Sequence, residues 1–356
     1  MLGKLLDGRY QVIQVLSSGG FGETYIAEDH KRPGKPKCVV KHLKPAYNDP
    51  NYLAIARRLF NTEAETLEKL GDHTQIPRLL AYDDREFYLV QEFIVGNPLT
   101  KELQTRQKWT ENQVIAMLED VLGVLDFIHT KGVIHRDIKP DNIIRREEDN
   151  RLVLIDFGAV KQVRNQLSNI EGQITSTVAI GTPGYMSAEQ SQGKPRPSSD
   201  IYALGMIAIQ AVTGLIPTQI PEDDNTGEII WQENAQVSVE LINILNKMVR
   251  CYFKDRYQSA VEVLKDIQYL TNLQYQTELQ KNNPQVSLSN NNYIYQPTIH
   301  SLPQPQDIPD TLNKTINLIR YISWIIFNYN VSFSGLLYLW YFYNIWGYKL
   351  IIFVFY

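Results

Sequence analysis

The chain has 356 residues, room for about two packed domains and some remainder. Apolar residues make up 44% and charged residues 21%, which excludes wholesale disorder and a collagen-like fibre. A net charge of −4 gives no global pull toward nucleic acid, and two cysteines, Cys38 and Cys251, cannot form a disulfide framework and fit a reducing cytoplasm.

The averages conceal an asymmetry. Residues 311–356 contain no acid and only Lys314, Arg320 and Lys349, so the first 310 residues hold 32 basic against 39 acidic side chains, net −7. Residues 316–356 also hold 15 of the 38 aromatics. The stretch from Met1 to Tyr10 is too short and polar for a secretory signal.

In chain order, the alternation from Tyr10 to Leu16 predicts a strand that runs into a glycine turn, with further strands over Tyr25–Glu28 and Cys38–Leu43. A helix is expected over 51–70, stopped by Gly71, and short apolar runs at Arg78–Tyr82 and Phe87–Phe93 follow. From residue 100 the pattern becomes helical. Thr110 with Gln113 forms a capping box, and Val114, Met117, Leu118, Val121, Leu122, Leu125 and Ile128 recur at helical spacing until Gly132. Asn142–Ile144 and Leu152–Ile155 predict a hairpin around Asp149 and Asn150, and Ile201–Val212, apolar nearly all round, predicts a buried helix. Residues 271–310, with six Asn, seven Gln and five Pro, have the composition of a linker, which as a coil would span about 35 Å.

Several segments carry chemistry. Leu16-Ser-Ser-Gly-Gly-Phe-Gly-Glu-Thr-Tyr25 lies between two strand patterns, where a glycine hairpin either turns the chain or offers backbone N–H groups to phosphate oxygens. Lys41 ends an apolar strand. Phe60, Glu63, Leu67 and Leu70 share one helix stripe, so Glu63 faces inward and needs a cation, for which Lys41 is the candidate. Asp137, Lys139 and Asn142 fall in one loop, and Asp156 follows at the end of an apolar strand. Phosphoryl transfer needs this set: an acid to orient a hydroxyl, a cation for the developing charge and two oxygen ligands for a metal.

The run Gly132-Val-Ile-His-Arg-Asp-Ile-Lys-Pro-Asp-Asn142, with Leu154-Ile-Asp-Phe-Gly158, resembles the catalytic core of the eukaryotic-like (Hanks-type) bacterial serine/threonine protein kinases, cyanobacterial members included. The resemblance covers about residues 10–270. It implies an α+β bilobal protein-kinase fold over 10–271, with a small β-rich N-lobe (10–93) bearing one key helix and a larger helical C-lobe (96–271); composition adds a disordered polar linker over 272–314 and a hydrophobic tail over 315–356. It further implies ATP with Mg2+ or Mn2+, Ser/Thr-bearing protein substrates and autophosphorylation of the activation segment, with a homodimer as its vehicle.

By the same resemblance, Leu16, Gly19, Gly20, Gly22 and Thr24 would cover ATP. Lys41, paired with Glu63, would contact the α- and β-phosphates. Gln91 would back the adenine pocket, with the backbone of Glu92 to Ile94 as the hinge. Asp137 would be the base and Lys139 would stabilise the phosphoryl group, while Asn142 and Asp156 would hold the metal. Gly181-Thr-Pro-Gly-Tyr-Met-Ser-Ala-Glu189 resembles the end of an activation segment, in which Thr182 steadies Asp137 and Lys139. Glu189 would pair with Arg256, and Asp200 would anchor the catalytic loop. Arg136 would read a phosphate on Thr175, Ser176 or Thr177, with Ser168 an outlier. Three residues depart from the pattern: Ser17 for the first glycine, Thr24 for a valine and Ala188 for a proline. Two other readings compete. A non-catalytic ATP-binding scaffold is expected to lack Lys41, Asp137 or Asp156, and a small-molecule kinase is expected to lack Arg136 and the segment from Thr182 to Glu189.

The tail poses a separate question. Gly335–Tyr356 is 22 residues with Lys349 its one charge, long enough as a helix (about 33 Å) to span a hydrocarbon core. It predicts a transmembrane segment over 335–356 in contact with lipid, the kinase domain staying cytoplasmic; Ile316–Phe327 is too short to span and suits an interface. The apolar stretch runs to the last residue without a polar flank, which leaves open a chain end with no selected function.

Overall fold

A computed structural model describes residues 1–19, 22–43, 50–157 and 184–282. All fall within the first of the two units into which the chain divides, Met1–Val286.

The first lobe is a six-stranded antiparallel sheet in the order β1-β2-β3-β4-β6-β5. Its strands are β1 (Leu5–Leu6), β2 (Tyr10–Gly19), β3 (Gly22–Asp29), β4 (Lys37–Leu43), β5 (Leu79–Asp83) and β6 (Tyr88–Glu92), with helix α1 (Pro50–Leu70) between β4 and β5. Successive strand side chains point to opposite faces. Tyr25, Ala27, Cys38, Val40, Tyr88 and Val90 accordingly fill one small core with Leu6, Tyr10 and Val12. The same alternation turns Val39 and Lys41 the other way, toward α1. β1 was not legible in the sequence, because two residues are too few to alternate, so the lobe begins before Tyr10. Arg9 fixes this entry by a two-pronged bond to buried Asp29, at 2.8 and 2.7 Å, and holds that carboxyl below its ordinary range.

The second lobe comprises β7 (Gly96–Pro98), α2 (Glu111–Thr130), β8 (Ile143–Arg146), β9 (Leu152–Leu154), α3 (Ala188–Ser191), α4 (Pro197–Thr213), α5 (Val239–Met248) and α6 (Ala260–Asn282). β7, β8 and β9 form a small sheet. Thr110 and Gln113 make the expected reciprocal cap on α2. In α4 every residue from Ser198 to Thr213 except Tyr202 is buried. A Cβ at Gly205 would lie 2.7 Å from Val249 Cγ1, so glycine lets α4 and α5 approach closely. One continuous core runs from Phe60, Leu67 and Leu89 of the first lobe through α2 and α4 to Trp231.

The last helix differs from expectation. α6 continues to Asn282, so residues 272–282, assigned by composition to the start of the linker, are helical. Glutamine is a good helix former, and Gln274 donates to Glu111 Oε1 at 2.7 Å, tying this extension to the start of α2. Among the described residues no helix is long and apolar enough to cross a membrane. The remainder of the linker and the 315–356 tail lie outside the described residues.

Candidate active site

The site is assembled from strand ends and short loops between the lobes. On β4, Lys41 extends Nζ to Glu63 Oε1 of α1 at 2.7 Å and to Asp156 Oδ1 at 2.9 Å. Glu63 is 1% exposed, as its place on the apolar stripe requires, and Lys41 is 18% exposed. Burial alone would lower the lysine's pKa, but the charges of Asp156 and Glu63 outweigh it, and the ammonium is held well above its ordinary value. Lys41 is therefore a fixed cation.

β9 is followed directly by Ile155 and Asp156. Asp156 sits at φ +67° and its side chain is 42% exposed. Ile155 N donates to the Asn142 carbonyl at 2.9 Å, which locks the strand end beside the catalytic loop. Within that loop, Asn142 Nδ2 donates both to the Asp137 carbonyl at 2.9 Å and to Asp137 Oδ2 at 2.6 Å. Lys139 Nζ lies 3.4 Å from the same Oδ2. One contact group thus joins Glu63, Lys41 and Asp156, a second joins Asn142, Asp137 and Lys139, and the Ile155–Asn142 backbone bond sets them side by side.

Two groups set the loop's backbone. Asp200, in the first turn of α4, accepts from Arg136 N and from His135 N, each at 2.9 Å. Its Oδ2 also lies 2.9 Å from His129 Nε2. These bonds hold Arg136 at φ +68°, a left-handed conformation that is costly for a residue with a side chain. His135 is fully buried, and burial pushes its pKa down despite the acids around it. Nδ1 accepts from Asp137 N at 3.3 Å, which leaves Nε2 to donate to the Ile155 carbonyl at 3.2 Å, the arrangement of a neutral ring. The ring packs against Phe157 at 4.7 Å.

The roof of the cleft is β2 and β3. Gly19 pairs with Gly22, and a Cβ at Gly22 would fall 2.3 Å from the His42 carbonyl oxygen. Glycine is thus needed here for the approach of β3 to β4. Ser17 pairs with Thr24 and has an ordinary negative φ. Leu16 is exposed, whereas Gln91 and Ile94 are buried beside partly exposed Glu92.

Farther out, Glu189 of α3 is gripped by Arg256. Nη1 meets Oε1 at 2.7 Å and Nη2 meets Oε2 at 3.1 Å, while Ser187 and Ser199 hydroxyls donate to Oε1 at 2.7 and 2.6 Å. Burial opposes the carboxylate, but these donors win and its pKa is lowered. Gly20, Thr175, Ser176, Thr177 and Thr182 lie outside the described residues.

Two participants were not singled out from the sequence. His129 continues the row Val121, Leu125 at i+4 spacing, and a polar residue on a buried row was the available signal. Gln190, whose Nε2 donates to the Arg136 carbonyl at 2.8 Å, carried no such mark.

The donor set suits a hard cation. With both Asn142 bonds made by its nitrogen, the amide oxygen faces away from Asp137, and together with the Asp156 carboxylate it supplies hard oxygen ligands. Among the described residues no group of three or more His, Cys, Asp or Glu forms a metal cage. An amide oxygen and a carboxylate are the kind of ligand pair that magnesium takes, the rest of its shell being phosphates and water.

Residues 10–269 match the protein kinase domain family. The chain is 45% identical over 269 residues to serine/threonine-protein kinase C of Synechocystis sp., covering 74% of this chain and 50% of that one. It is 44% identical over 269 residues to serine/threonine-protein kinase PknA of Nostoc sp., covering 74% and 48%. The chain thus spans about half the length of these curated relatives. In fold it is similar to the Mycobacterium tuberculosis PknI kinase domain, with a TM-score of 0.56 at 24% identity over 76% of this chain and 98% of that one. The two-lobed fold, the ordered signatures and the matched span together place this chain in the protein kinase domain family.

Proposed function

We propose that the chain is a serine/threonine protein kinase that transfers the γ-phosphoryl group of ATP to protein hydroxyls. The observation that carries this reading is two contact groups, Glu63–Lys41–Asp156 and Asn142–Asp137–Lys139, held side by side by the bond from Ile155 N to the Asn142 carbonyl. Lys41 orients the α- and β-phosphates. Asp137 accepts the proton of the attacking hydroxyl, and Lys139 balances charge on the transferring group. Asn142 and Asp156 hold magnesium, which when bound neutralises phosphate charge. Catalysis comes from in-line positioning and electrostatics, both of which need the preset geometry described above.

Arg136 fits a regulatory role. Its Nε is buried and has no hydrogen-bond partner among the described residues, an opening for phosphate on the activation segment, where autophosphorylation between two copies would place it. The alternative, an ATP-binding scaffold, rests on Ser17. That residue needs no positive φ in the hairpin, which supports the catalytic reading. The apolar tail supplies a membrane address in this proposal.

The test is incubation of the full chain with γ-labelled ATP, magnesium and casein, followed by phosphoamino-acid analysis. Label on serine and threonine is expected, and prior phosphatase treatment lowers the rate. Label confined to tyrosine, or none despite ATP binding, contradicts the proposal.

A further inference from the structure

α3 is a single turn, and its two central side chains are bound in opposite directions. Glu189 points into the lobe and is held by Arg256, Ser187 and Ser199. Gln190, the next residue, is turned about 100° around the helix and reaches the catalytic loop, where Nε2 donates to the Arg136 carbonyl at 2.8 Å. α3 is therefore fixed to the core by one residue and fixes the loop by the next.

The bonded carbonyl belongs to the peptide that joins Arg136 to Asp137. The nitrogen of this same peptide, Asp137 N, donates to His135 Nδ1 at 3.3 Å, and the preceding peptide nitrogen, Arg136 N, is held by Asp200 at 2.9 Å. Arg136 lies at φ +68°, so the peptide plane beside Asp137 is held in a sparsely populated orientation. Gln190 supplies the bond on its oxygen edge. Arg136, Asp137, Tyr185, Met186 and Gln190 also line one small cavity, so the segment leading into α3 and the loop meet at this point. Tyr185 is itself bound to Gln210 of α4.

We infer that Gln190 is a positioning residue for phosphoryl transfer: by holding the Arg136–Asp137 peptide it sets the direction of the Asp137 carboxylate and couples that direction to the segment 184–191. This inference rests on the reading of Asp137 as the base. It predicts an effect on turnover and not on nucleotide affinity, because the described contacts of Gln190 are with the Arg136 carbonyl and the cavity beside it and include neither Lys41 nor the strands of the cleft roof.

The experiment compares full-chain wild type, Gln190→Met, Gln190→Glu and Asp137→Asn. Methionine matches glutamine in length and shape but has no donor, and glutamate sets a carboxylate against the carbonyl oxygen. Gln190→Met is expected to lower kcat about five- to tenfold, the effect of one hydrogen bond expressed in the transition state. KM for ATP and for a peptide substrate should stay within about twofold, and the thermal midpoint within about 2 °C. Gln190→Glu is expected to lower kcat further. Unchanged kcat in both variants overturns the inference. So does a kcat loss matched by a rise in peptide KM and a lower thermal midpoint, which marks a structural role. Asp137→Asn separates the two levels: full activity there defeats the base assignment, whereas its inactivity beside normal Gln190 variants defeats only the inference.

Discussion

Asp137→Asn is expected to lower phosphoryl transfer by about 10²–10⁴-fold, the usual contribution of a positioned acid or base, while ATP affinity stays within about twofold. The reason lies in how the contacts divide. In the proposed function nucleotide binding depends on β2, β3, Lys41 and Asp156, none of which bonds to the Asp137 carboxylate in the described contacts, whereas Asn142 Nδ2 and Lys139 Nζ converge on its Oδ2. An asparagine fills the same volume and keeps the backbone carbonyl that receives Asn142 at 2.9 Å, so the loop is not expected to collapse. What it loses is the capacity to accept a proton. Steady-state rates with calorimetric ATP binding check this, and substantial transfer by the variant contradicts the assignment.

Glu189→Ala is expected to cost about 3–5 kcal/mol, the penalty for leaving a buried ion without its partner, and to lower the thermal midpoint by about 6–20 °C. Arg256 is 0% exposed in its side chain and Glu189 8%, so water cannot replace the lost carboxylate. Ser187 and Ser199 lose their acceptor as well. The double variant Glu189→Met/Arg256→Met is expected to be more stable than Glu189→Ala, because it removes both charges. Acid has the same effect as the single substitution. Glu189 has a lowered folded pKa, so its contribution is complete above the unfolded value of about 4.3 and is lost as pH falls through the folded one. Thermal melts of the three proteins between pH 7 and pH 3 test both parts. A Glu189→Ala midpoint within about 2 °C of wild type contradicts them.

Much of this architecture was legible because its signals are periodic or capped. The stripe holding Glu63, the box at Thr110 and the uninterrupted apolar run of α4 each leave a pattern that survives without tertiary information. β1 did not, since its pairing with Tyr10 and Gln11 is a tertiary fact about two leucines. The extension of α6 was misread for a related reason. Its Gln- and Asn-rich composition matches a linker, and only the bond from Gln274 to Glu111 distinguishes it. At the site, the spacing of Asp137, Lys139, Asn142 and Asp156 pointed to phosphoryl transfer, and Glu63 called for a cation. The second contact of Lys41, with Asp156, joins residues 115 positions apart, and its distance could be known only from the fold. Gln190 was invisible for the same reason, its partner being a backbone oxygen 54 positions away.

The most direct test of catalysis by this site is the full chain beside its Asp156→Ala variant, each given γ-labelled ATP, magnesium and a protein substrate. Wild type is predicted to place label on serine and threonine and the variant to place none, since Asp156 is the partner of Lys41 and, in the proposed function, the carboxylate ligand for the metal. Equal labelling by the two proteins, or no labelling by wild type that binds ATP, would contradict the account.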